Sequence, residues 1–163
     1  MKPSVLLDTS FFISLNNNNR PNHGVAHQYY KHLLEQNIPI YFSVIVAAEF
    51  AIKESITDLP LRNFQTLPFN LPDAIEAARI WNLLGGHKSG DNRSVVRDDV
   101  KIIAQALRGN IPFVLTEDAK TFYRDCELLR TSHQLDIRAI KLVDGFDASA
   151  LRLDGQKNLE GFI

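Results

Sequence analysis

Two short apolar runs, each ended by acidic residues, set the tightest limit on what this chain can fold into. Ser4-Val5-Leu6-Leu7 stops at Asp8-Thr9-Ser10, and Pro112-Phe113-Val114-Leu115 stops at Thr116-Glu117-Asp118. Runs that are apolar throughout, rather than alternating, belong to strands covered on both faces, and that means a parallel sheet between helices. In such a sheet the ligand crevice lies beyond the carboxyl ends of the strands. Asp8 and Asp118 are therefore predicted to face one crevice.

The intervening sequence supplies the helices. After the first strand, Asn16 to Asn22 is a polar, turn-forming stretch, followed by a helical pattern with Val25, Tyr29 and Leu33 on one face. Residues 38–42 read as a second strand. Ser43 is placed to cap a helix through Val44-Ile45-Val46-Ala47-Ala48-Glu49, with Glu49 about two turns in. Residues 64–69 form a short third strand. Pro72 then opens a helix with an apolar stripe of Ala74, Ala77, Ala78 and Trp81, ended by Gly85-Gly86. The polar residues 87–93 form a loop. Ile102, Ile103 and Ala106 define one face of a helix over 99–108 that Gly109 stops. A helix over 122–130 and a strand over 138–143 follow, and the tail 144–163 carries no assignable element. Strands alternating with helices predict an α/β sandwich with a mostly parallel sheet in one domain.

Composition excludes several classes. Lys and Arg number 18 against 19 Asp and Glu, a net charge of −1, so bulk charge does not announce a nucleic-acid binder. A lone cysteine, Cys126, excludes an internal disulfide and cysteine-based zinc or iron–sulfur motifs, and fits a reducing cytoplasm. Asp8 comes too early for a signal-peptide core, and the longest apolar stretch, residues 38–52, is broken by Ser43 and Glu49 and falls short of a membrane span. The expectation is a soluble cytoplasmic protein with no membrane partner.

The chemistry rests on four acids: Asp8, Glu49, Asp99 and Asp118. Carboxylates gathered without thiolate or imidazole suit a hard cation, Mg²⁺ or Mn²⁺. Blander readings stand beside this one. Asp8 could close a strand and Asp118 cap a helix, while Glu49 could lie on a solvated face. Asp98 competes with Asp99, but only Asp99 shares the i, i+3, i+4, i+7 face of Ile102, Ile103 and Ala106; Asp98 is turned from it by about 100°. His23 and His27 have zinc-like i, i+4 spacing without an evident third ligand, so a solvated face is the default. Lys88, Arg93 and Arg97 could bind nucleic-acid phosphates or be plain solvated charge. Phe50 and Trp81 are expected in the core or an interface. Glycine-rich phosphate loops and a Ser–His–Asp constellation are missing, and Ser10 stands where an aspartyl phosphatase would want a second Asp.

Four blocks, in order, carry a resemblance: Leu7-Asp8-Thr9-Ser10, Ala47-Ala48-Glu49-Phe50, Asp99 through Ala106, and Val114-Leu115-Thr116-Glu117-Asp118. Together they resemble the signature blocks of PIN-domain ribonucleases, most of all the small VapC-type toxins. The resemblance implies a three-layer, Rossmann-like α/β fold, with residues 1–146 as the nuclease domain and 147–163 as its C-terminal extension. It implies that Asp8, Glu49, Asp99 and Asp118 hold Mg²⁺ or Mn²⁺ and cleave RNA, with Thr116 as their hydroxyl partner and Thr9 or Ser10 adding a hydrogen bond. A homodimer restrained by a small antitoxin protein is implied as well. An RNA-processing PIN nuclease without a toxin role, and a catalytically silent PIN binding module, stay open.

Overall fold

Val5, Leu6 and Leu7 are completely buried, which is what an uninterrupted apolar run requires of its surroundings. The computed structural model describes residues 2–86 and 96–153. In chain order the elements are β1 (Val5–Leu7), α1 (Thr9–Asn16), α2 (His23–Glu35), β2 (Ile40–Ser43), α3 (Val44–Lys53), β3 (Gln65–Leu67), α4 (Leu71–Leu83), α5 (Asp98–Arg108), β4 (Phe113–Thr116), α6 (Phe122–His133) and β5 (Arg138–Lys141). The five strands form one parallel sheet in the order β3-β2-β1-β4-β5, with Leu7 level with Phe42 on one side and Leu115 on the other. From β1 the chain winds outward through β2 and β3, then returns to the other side of β1 for β4 and β5. The strand order thus reverses between β1 and β4, where such folds open their crevice.

The sequence reading assigns no element to residues 9–15, yet the chain forms α1 there. Asp8 caps it, accepting a hydrogen bond from the Phe11 amide at 3.0 Å. Phe11 and Phe12 are fully buried, and the Phe12 ring meets Phe42, Phe50 and Phe64 edge-on at centroid distances of 5.7, 6.4 and 5.3 Å. An eight-residue helix repeats its apolar face too few times to be seen as periodic.

Other boundaries differ in ways that have physical causes. Ser43 caps α3 as expected, its hydroxyl accepting from Ile45 N at 3.0 Å. On α4 the buried positions are Asp73, Ala77 and Ile80, while Ala74 and Ala78 are exposed. The stripe is rotated because a charged residue takes a core-facing place: Arg108 of α5 pairs with Asp73 at 3.0 Å. Trp81 packs partly buried against the core. The third strand shrinks to β3, and the last strand ends at Lys141 in a 3-10 turn over Leu142–Asp144. In the described part of the tail a 3-10 turn at Ala148–Leu151 buries Leu151, and the Tyr29 hydroxyl donates to Gly145 O and accepts from Asp147 N. The loop expected at 87–93 lies outside the described residues. Among the described residues no helix is long and apolar enough to cross a membrane.

Asn70 and Asp73 form a reciprocal capping box at the start of α4, with bonds of 3.2 and 2.9 Å. Replacing Asn70 with Ala is expected to cost about 1 kcal/mol, read as a melting-temperature drop of about 3 °C. An unchanged melting curve would mean that α4 owes its start to packing alone.

Candidate active site

The turns that leave β1 and β4 are stitched together by hydroxyl groups. Asp8 follows β1 directly, and its amide extends the ladder by bonding Leu115 O at 3.3 Å. Its Oδ1 accepts from Ser10 Oγ at 2.6 Å as well as from Phe11 N, and its Oδ2 accepts from the Thr116 hydroxyl. Thr116 Oγ1 in turn accepts from Asp118 N at 2.9 Å, and Ser10 Oγ accepts from Glu117 N at 2.9 Å. Asp118 closes its own turn, Oδ1 accepting from Lys120 N and Thr121 N at 3.0 and 2.8 Å. The bland roles of Asp8 and Asp118 as capping and turn-closing groups are therefore also filled. Capping engages Oδ1 alone in Asp118 and leaves its other oxygen for other work.

Two helices bring the remaining acids. Glu49 projects from the second turn of α3 and accepts a hydrogen bond from Thr9 Oγ1. Asp99 sits in the first turn of α5, accepting from Val100 N at 2.9 Å. Asp8, Glu49, Asp99 and Asp118 line one concavity of about 210 Å³, with Thr9 and Ser10 between them and Ile102 and Phe122 as its apolar walls. Asp98 stands elsewhere, half-exposed and paired with Lys101 Nζ at 2.9 Å. A larger cavity of about 550 Å³ lies beyond α6, but its lining mixes Glu127, Arg130, Lys141 and Asp144 and draws on none of the four acids. Chemistry, not volume, singles out the smaller one.

Electrostatic tension is concentrated here. Burial pushes the Asp8 carboxyl up to about 6, against the hydrogen bonds of Ser10, Thr116 and Phe11, and the charge of Asp118 pushes the same way. Burial also raises Asp99, opposed by the neighbouring Arg97 charge and reinforced by Asp125 and Asp118. Each acid leans on a protein donor, and among the described residues no three His, Cys, Asp or Glu side chains are set as a ready metal cage.

Two participants were not legible in advance. Asp125, on α6, is buried and holds the Arg97 guanidinium; its signal was an acid within the buried stripe of Phe122, Cys126 and Leu129. Glu117 gathers Ser14, Arg20 at 2.7 Å and Asn22 at 3.2 Å, tying the asparagine-rich loop to the turn after β4. Of the three cations proposed for phosphate, Arg97 is engaged with Asp99 and Asp125, and Lys88 and Arg93 lie outside the described residues. His23 Nδ1 contacts Ser14 O at 2.9 Å and its ring lies 6.2 Å from that of His27, with no third ligand beside them among the described residues.

Residues 5–128, which hold four of the five strands and all four acids, match the PIN domain. The chain belongs to the PIN-domain family. Its fold is the three-layer α/β arrangement of that family, a parallel sheet between helices. FitAcB of Neisseria gonorrhoeae is similar over 85% of this chain and 98% of its own, at 21% identity and a TM-score of 0.61. VapBC2 of Rickettsia felis, bound to a DNA fragment from its promoter, is similar over 84% and 97%, at 14% identity and a TM-score of 0.58. The Mycobacterium tuberculosis toxin VapC20, which cleaves the sarcin–ricin loop, is similar over 72% and 92%, at 20% identity and a TM-score of 0.51. At these identities the likeness speaks for the fold. No curated protein matches the chain.

Proposed function

We propose that this PIN-domain protein is a metal-dependent endoribonuclease in which Asp8, Glu49, Asp99 and Asp118 form the active centre and Thr116 supports it. One observation carries the reading: acids from four separate elements converge on a single concavity at the reversal of strand order. The donor set is all oxygen, carboxylates with the hydroxyls of Thr9 and Ser10, which fits Mg²⁺ or Mn²⁺. These four acids would hold the ion. Once bound, it would neutralise phosphate oxygens and make water a better nucleophile.

The chain's own residues do the rest. Thr116 and Ser10 fix both oxygens of Asp8, and Thr9 orients Glu49. Asp118 Oδ2 accepts no hydrogen bond from the described residues and is the oxygen left to hold the ion. Ile102 and Phe122 give the concavity apolar walls, which strengthen the charge interactions beside them. RNA as substrate and a small antitoxin partner are supported by the likeness to VapC20, a sarcin–ricin loop cleaving toxin, and to VapBC2; a homodimer and a cytoplasmic setting belong to the same proposal. An RNA-processing enzyme of the same chemistry would instead be harmless when expressed without a partner.

Incubation with mixed RNA in Mg²⁺ or Mn²⁺ is expected to give products with 5′-phosphate and 3′-hydroxyl ends, and chelator is expected to stop the reaction. Cyclic phosphate ends, or full activity in chelator, would falsify metal-directed water attack. A second reading, a silent binding module, is favoured by the Arg97 guanidinium beside Asp99. Failure of Mn²⁺ to bind saturably, with no Asp8-dependent cleavage, would decide for that module.

A further inference from the structure

We propose that Asp125 is a positioning residue that draws Arg97 off Asp99 and so keeps that carboxylate available to a cation; this rests on the metal-dependent reading above. Arg97 immediately precedes α5, and Asp99 lies two residues further on, in its first turn. Left to itself, an arginine so near would pair with Asp99 and neutralise it, because a guanidinium fork engages a carboxylate through two strong bonds.

The observed geometry is different. Arg97 Nε stands 3.4 Å from Asp99 Oδ1, yet this buried nitrogen makes no hydrogen bond. Its Nη2 is bonded instead to Asp125 Oδ2, the closer of the two contacts. The Asp125 side chain is 5% exposed against 21% for Asp99, so the cation is worth more to Asp125, whose unpaired charge water could not relieve. Trp81 holds the guanidinium from another side, with the Arg97 carbon 5.4 Å from the ring centroid. Arg124 also approaches Asp125, at 3.3 Å, but its side chain is 69% exposed and it cannot replace the buried partner. Three neighbours thus compete for one cation, and the two that are not in the candidate centre hold it.

The sign of a double substitution separates this role from mere bracing of α5 against α6. Mn²⁺ affinity is measured by calorimetry on the full chain, with melting curves alongside. Asp125→Asn, which frees Arg97 to close on Asp99, is expected to weaken Mn²⁺ binding about tenfold, and Arg97→Met with Asp125→Asn is expected to restore it to within about twofold of the original. Asp125→Glu keeps a carboxylate for Arg97 and is expected to bind like the unaltered chain. The double variant leaves no buried charge unpaired and so reads the outcome even if Asp125→Asn folds poorly. A double variant as weak as Asp125→Asn, or an Asp125→Asn affinity equal to the original, overturns this inference alone. An unaltered chain that binds no Mn²⁺ overturns it together with the proposed function.

Discussion

Without divalent metal, Asp8→Asn is expected to melt above the unaltered chain while losing RNA cleavage by about a thousandfold or more. Raising a buried carboxyl from 3.8 to about 6 corresponds to about 3 kcal/mol of stability lost once the group is ionised. The folded state binds the proton more tightly than the unfolded chain does, so this contribution is fully favourable below about pH 4 and is lost as pH rises to 6. Asparagine keeps the shape and removes the charge. Its oxygen can still accept from Ser10 and Phe11, and the Thr116 hydroxyl can rotate to accept from the amide. The melting temperature should therefore rise by up to about 9 °C at pH 7.5 in chelator, with the difference vanishing near pH 4. Mn²⁺ should raise the melting temperature of the unaltered chain and leave Asp8→Asn nearly unmoved. If the variant melts lower at every pH, its hydrogen bonds outweigh its charge and the account of tension at this site is wrong.

Asp99→Asn should abolish cleavage and weaken Mn²⁺ binding while the fold survives, and Asp98→Asn should keep most of the activity. The two acids are adjacent, but a helix turns about 100° per residue. Asp99 therefore lies with buried Ile102, Ile103 and Ala106 and opens into the concavity, whereas Asp98 reaches back to Lys101 in solvent. An exposed i, i+3 pair contributes at most about 0.5 kcal/mol, so Asp98→Asn should barely shift the melting temperature. Assays of both variants at saturating and limiting Mn²⁺ would separate lost affinity from lost turnover. Equal activity in the two variants would remove Asp99 from the proposed centre.

What could be read in the one-dimensional sequence was whatever depends on local periodicity. Buried parallel strands announce themselves as unbroken apolar runs, and Val5 to Leu7 and Phe113 to Leu115 did so. The phase of α5 was legible because Ile102, Ile103 and Ala106 repeat often enough to define a face, and Ser43 was a visible cap. The short α1 was not legible, and neither was the true face of α4. In α4 a core-facing place is held by Asp73, and only Arg108, thirty-five residues away and on another helix, makes that burial tolerable.

The same division runs through the candidate site. Sequence alone determined that acids stand at the ends of buried strands and in the first two turns of helices, because strand ends and helix phases are properties of neighbouring residues. Only the tertiary structure decided who satisfies them. Thr116 reaches Asp8 across 108 positions, Thr9 reaches Glu49 across 40, and Arg97 is shared with Asp125 across 28. Such pairings depend on strand order and on which helix covers which face. Those are set by long-range packing of the whole core, so hydrogen bonds and competing charges around a site are not written in any local stretch of chain.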